Sequence, residues 1–163
     1  MITARALRSL LTALLGAWMA VAAQAQGGTD EQLAAQYFQR GEYDKAALYY
    51  DKLYRSQPSE YYYEQLFRCQ VSLKDYESAE KLAKDQLRRQ NGDPRYIVDL
   101  GSVYRAQGDD DKAMQQFQKA LKGMKYDQAS VRNLANAFSK YNELDLALEA
   151  YERGQNGLKD GTN

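Results

Sequence analysis

Apolar and polar positions along the chain recur with a period of 33 to 34 residues, which points to a helical repeat before any single residue is considered. Four segments align: GEYDKAALYYDKL (41–53), KDYESAEKLAKDQ (74–86), GDDDKAMQQFQKA (108–120) and NELDLALEAYERG (142–154). Ala46, Ala79, Ala113 and Ala147 share one column and stand 33, 34 and 34 residues apart. Upstream of each block a second set repeats: Leu33, Ala34 and Tyr37; Leu66, Phe67 and Gln70; Leu100, Gly101 and Tyr104; Leu134, Ala135 and Phe138. Large, small and large side chains at that spacing fall on one face of an α-helix. Each period therefore predicts two helices and a turn, and the whole chain an all-α fold of about four hairpins.

The columns have physical reasons. Gly101 and Ala113 are small because antiparallel helices approach to about 8–10 Å only where the contact lacks bulk. Gly41, Gly108 and Asn142 fall where a first helix ends, and both residue types tolerate the left-handed conformation that stops a helix. Lys74 occupies the same column with a Cβ, which predicts strain or a different turn in the second period.

PRYIVDLGSVYRAQGDDDKAMQQFQKALKGMK (94–125) resembles the tetratricopeptide repeat, a helix-turn-helix unit of about 34 residues, through Leu100, Gly101, Tyr104, Gly108, Ala113, Phe117 and Ala120. The resemblance extends over about residues 27–161, with repeats near 27–59, 60–93, 94–127 and 128–161. It is weakest in the second, where Ala83 replaces the large residue of the column of Tyr50, Phe117 and Tyr151, and at the end of the fourth. A right-handed α-solenoid with a concave face is the fold it implies.

The segment before the repeats reads differently. Arg5 and Arg8 precede an apolar run from Leu10 to Ala23, and Ala23-Gln24-Ala25 follows as a small-residue cleavage site. Residues 1–25 thus have the pattern of a secretory signal peptide, leaving 26–163 as the repeat domain. A run this short falls below the roughly 20 residues of a membrane span, though an uncleaved anchor is the alternative. Export to a bacterial periplasm or to the exterior is the expectation.

Charge and composition then exclude several classes. Residues 1–25 hold two basic residues and no acid, so the remainder carries 20 Lys and Arg against 22 Asp and Glu. A near-neutral chain is a poor match for nucleic acid, whose phosphates require a basic face. Cys69 is alone and has no partner for an internal disulfide; it is either a buried small apolar residue or a reactive thiol. Histidine is absent, so the commonest general base and metal ligand is missing. No Gly-rich phosphate loop occurs, and no cofactor is expected.

The resemblance also implies which side chains line the concave face, because in that family the first helix of each pair supplies most of them. Carried onto this chain, they are Glu31, Ala35 and Phe38; Tyr61, Glu64, Arg68 and Val71; Arg95, Val98, Ser102 and Arg105; Arg132, Asn136 and Ser139. Tyr61, Tyr62 and Tyr63 are consecutive, and neighbours on a helix are about 100° apart, so the three rings cannot share one core. Tyr63 is expected inside, Tyr62 against the preceding pair and Tyr61 on the open face. With Arg68, Arg95, Arg105 and Arg132 against Glu31 and Glu64, that face should be locally basic and suited to a peptide or acidic segment; solvated arginines without a ligand are the plainer alternative. Arg132 and Asn136, one turn apart, resemble half of a carboxylate clamp.

Three functions compete. The first is an exported scaffold that binds a protein or peptide partner. The second is an assembly subunit, or part of a longer array, that self-associates through Leu144, Leu148 and Tyr151 at an uncapped end. The third is an enzyme using Glu64 or Asp99 as acid and base, which nothing in their spacing favours; the sequence is read as non-enzymatic.

Overall fold

The computed structural model describes residues 28–159, and every regular element among them is an α-helix. The leader expected at residues 1–25, with the cleavage site expected after it, lies outside the described residues. The helices are α1 (28–39), α2 (Tyr43–Ser56), α3 (Glu60–Ser72), α4 (Tyr76–Arg89), α5 (Pro94–Gln107), α6 (Asp110–Lys122), α7 (Gln128–Lys140) and α8 (Leu144–Lys159). They fall into two compact units that meet in sequence at Leu73 and Lys74, inside the second hairpin.

In the first unit, α2 buries Ala46, Tyr50, Leu53 and Tyr54, and α3 buries Tyr63, Leu66, Phe67 and Cys69. Both sets follow helical spacing, so each helix offers one apolar stripe. Aromatic rings fill the space between α1 and α2: Tyr37 stacks on Tyr49 with centroids 5.8 Å apart, and Phe38 meets Tyr43 edge-on at 5.3 Å. Asp30, almost buried on α1, pairs with Lys52 Nζ on α2 at 2.7 Å. Burial raises the Cys69 thiol to about 11, against the opposing pull of Arg68. Cys69 is therefore a protonated, buried residue at neutral pH, which selects the apolar reading over the reactive one.

The second unit is organised around α5. Every residue from Tyr96 to Val103 is buried, because α5 packs against α4, α6 and α7. Its core joins Ile97 and Val98 to Ala113, Phe117, Leu121, Leu134, Phe138 and Ala147. Gly101 is where α6 comes closest: a Cβ there would overlap the ring of Phe117. Gly154 does the same for α8 and α7, since a Cβ would stand 2.5 Å from Val131 Cγ2. Tyr104 donates to Glu80 Oε1 at 3.0 Å and Tyr76 to the Ala106 carbonyl at 2.9 Å, tying α4 to α5.

The hinges inside the hairpins share one device. Gly41, Gly108 and Asn142 are left-handed, and the backbone N–H of the next residue closes the helix just ended. These bonds run from Glu42 to Tyr37 O at 3.0 Å, from Asp109 to Tyr104 O at 2.9 Å and from Glu143 to Phe138 O at 3.1 Å. Asp109 also starts the following helix, its carboxylate accepting the Lys112 N–H at 3.1 Å. That bond and the stronger one to the Lys112 side chain hold the Asp109 carboxyl below its usual range.

Lys74 adopts the same left-handed geometry, with φ at 59°. An L-residue there costs roughly 1–2 kcal/mol, of which glycine's larger unfolded-state entropy takes back about half. Lys74→Gly should therefore stabilise the protein by about 0.5–1 kcal/mol and raise the thermal midpoint by about 2 °C. An unchanged or lower midpoint would show that the turn is unstrained.

Candidate functional site

The three consecutive tyrosines part company on α3. Tyr63 is fully buried, with ring centroids 5.9 Å from Phe67 and 6.4 Å from Tyr54. Tyr62 turns onto α1 and donates its hydroxyl to Glu31 Oε2 at 3.1 Å. Tyr61 is 46% exposed, its ring edge-on to Tyr62 at 5.4 Å and to Tyr50 at 6.4 Å. Burial first, and then the hydrogen bond with Tyr61, push the Tyr50 phenol well above its ordinary value, so it remains a neutral support.

One turn beyond Glu64, Arg68 is exposed and lies over the Phe38 ring, its Cζ 4.7 Å from the centroid. Such stacking fixes the guanidinium plane while leaving its N–H groups for a ligand. Among the described residues Arg68 makes no ion pair. α1 and α3 thus present a half-open surface of Phe38, Tyr61 and Arg68, with the half-buried carboxylates of Glu31 and Glu64 on the same two helices.

The second unit changes the picture drawn from sequence. Arg95 gives its Nε and Nη2 hydrogens to Asp93 Oδ2, at 3.0 and 2.8 Å, and its own backbone N–H to Asp93 Oδ1 at 3.0 Å. Arg105 is bidentate to Glu143, at 2.9 and 3.2 Å, bonds Asp110 Oδ1 at 2.8 Å, and lies 5.5 Å from the Phe117 centroid. Its hydrogen bonds to Glu143 and then to Asp110 raise the guanidinium pKa, holding the charge in place. Both arginines are neutralised by their own chain, so the basic face expected from four arginines is not formed here. Val98 has no exposed surface and belongs to the interior. Arg132 and Asn136 are exposed one turn apart on α7, and Arg132 makes no ion pair among the described residues.

Sequence reading missed Asp93, Asp110 and Glu143 as the partners that matter. Asp93 had a usable signal: it stands at the N-cap position two residues before Arg95. The bond from Arg105 to Glu143, which is 38 residues away, had none.

The family model described as the TT21 fifth ARM repeats domain matches residues 31–138. The chain belongs to that family. It is an all-α helical repeat protein. This ARM-repeat chain is also similar to solved structures of MamA. One, titled MamA 41-end from Desulfovibrio magneticus RS-1, is 16% identical, with 82% of this chain and 76% of that chain covered and a TM-score of 0.47. Another, titled Crystal structure of MamA, is 16% identical over 83% of this chain and 80% of that one, with a TM-score of 0.48. No curated protein matches the chain.

At the other end of the ARM-repeat chain, Leu144, Leu148 and Tyr151 lie along one face of α8 and stay 60, 59 and 42% exposed. Asp99, one of the two carboxylates weighed for acid-base chemistry, is 3% exposed and accepts from Tyr141 Oη and, at 3.2 Å, Lys140 Nζ. Among the described residues no three His, Cys, Asp or Glu side chains gather as a metal site, and no helix is long and apolar enough to cross a membrane.

Proposed function

We propose that this ARM-repeat protein is an interaction scaffold whose α1 and α3 surface holds a segment of a protein partner. The observation that carries this is Arg68 stacked on Phe38, with Tyr61 exposed two turns earlier on the same helix. Phe38 and Tyr61, each packed edge-on to Tyr50, supply contact area at small entropic cost, and an oriented guanidinium selects a carboxylate. The partner segment therefore combines an apolar or aromatic side chain with an acidic one. Residues 1–25 supply the route to it: two arginines, an apolar run and a small-residue site support export as a bacterial periplasmic or secreted protein.

Affinity capture with the chain from Gln26 onward, against the same chain carrying Tyr61→Ala and Arg68→Ala, tests the reading. Both residues are exposed, so the fold survives the change. The captured partner should bind the variant at least tenfold more weakly. Equal affinity would remove the α1 and α3 surface from consideration. A second reading, self-assembly, is favoured by the exposed Leu144, Leu148 and Tyr151, and is distinguished by a particle size that grows with concentration.

A further inference from the structure

Within the second unit, the links between hairpins build a cavity that the partner surface does not use. α4 ends with Asn91 and Gly92 both left-handed, at φ 53° and 80°, and Gly92 N–H bonds the Leu87 carbonyl at 2.9 Å. The chain then turns at Asp93 and enters α5 through Pro94. α6 stops at Gly123 close by: a Cβ on Gly123 would sit 3.6 Å from Pro94 Cγ. The first turns of α7 complete the walls. The volume of this open cleft is about 420 Å³, inside the range of about 300–1,000 Å³ common to small-ligand sites.

Its chemistry is uneven in an informative way. Pro94, Met124 and Leu134 form an apolar floor, the last two almost fully buried. Gln90, Asn91 and Asn133, all exposed, add amide-bearing side chains to the lining. Asp93 is engaged by Arg95, as described above, and the Ser130 hydroxyl already donates to Asp127 Oδ2 at 2.6 Å. Lys125 is exposed at the edge and makes no ion pair among the described residues. A ligand that matched this set would place an apolar stem on the floor, one negative group at Lys125, and hydrogen-bonding atoms against the amides.

We infer that this cavity binds a short aliphatic carboxylate. The group has two possible sources, a free small acid or the terminal residue of a peptide, and both present the same stem and charge. The site is independent of the α1 and α3 surface, so neither reading stands or falls with the other.

Amide shifts of the ¹⁵N-labelled chain, titrated with 4-methylpentanoate, acetyl-leucine and acetyl-leucinamide, test it. The two acids should cause saturable shifts centred on Gly92, Gly123, Lys125 and Asn133, and the uncharged leucinamide should bind at least tenfold more weakly. Lys125→Ala, an exposed change, should weaken the acids by a similar factor, while Tyr61→Ala with Arg68→Ala should leave them unaltered. The tighter of the two acids identifies the source. Absence of localised saturable shifts, or equal binding of the amide, or indifference to Lys125→Ala, would overturn the assignment.

Discussion

Phe117→Ala should lower the free energy of unfolding by about 3–5 kcal/mol, the largest effect expected from any single side chain in the second unit. The ring is fully buried, meets Phe138 edge-on at 5.7 Å, and carries the Arg105 guanidinium above it. It also fills the space left by Gly101, which has no side chain to follow an inward collapse. The vacated volume would therefore persist as a cavity. Against a typical domain stability of about 5–15 kcal/mol the loss is a large fraction, so the midpoint in urea should fall steeply.

A companion substitution makes the mechanism testable as well as the magnitude. Gly101→Ala alone should destabilise, because its Cβ overlaps the Phe117 ring. In the Phe117→Ala background the same methyl enters the cavity and helix propensity favours it, so the sign should reverse. A cycle of four unfolding curves reads this directly. If Gly101→Ala costs the same in both backgrounds, glycine and ring are not complementary.

Asp99→Ala should cost about 2–3 kcal/mol, and Asp99→Asn about 1 kcal/mol. The carboxylate is almost completely buried on α5 and accepts from Tyr141 Oη and Lys140 Nζ at the end of α7. It links the first helices of consecutive hairpins across the core. Alanine removes the buried acceptor that both groups use, whereas asparagine keeps one carbonyl oxygen for Tyr141. Lys140 is about one third exposed, which limits the penalty on that side. Thermal unfolding of the two variants checks the order. A loss below about 0.5 kcal/mol for alanine, the level of an ordinary surface change, would contradict the role.

The repeat was legible because its physics is local. Ala46, Ala79, Ala113 and Ala147 are all buried, as a small-residue column between helices requires. The hinges at Gly41, Gly108 and Asn142 were equally readable, since left-handed turns select few residue types, and Lys74 adopts the geometry its column imposes. Val98 went the other way for a physical reason. Register alone assigns a helix one inner and one outer face, but the middle of α5 is enclosed on several sides, so Val98 and Ser102 are buried along with the inner-face residues. The arginines fared similarly. Long side chains reach partners that no periodicity predicts, and Arg105 meets Glu143 only because the third and fourth hairpins stack. By contrast Tyr61, Tyr62 and Tyr63 could be separated from sequence, because three consecutive helical positions must diverge.

The double duty of the hinge residue bears on how such a chain tolerates change in length. Where one amino acid both closes a helix and opens the next, as Asp109 does, inserting a single position would break two caps together. The segments joining successive hairpins carry no such constraint, and they grow along the chain from 57–59 to 90–93 to 123–127. A change in length is thereby better absorbed in the connectors, and two of them, 90–93 and 123–127, supply backbone to the walls of the cleft, so its recognition chemistry can vary without disturbing the helical stack.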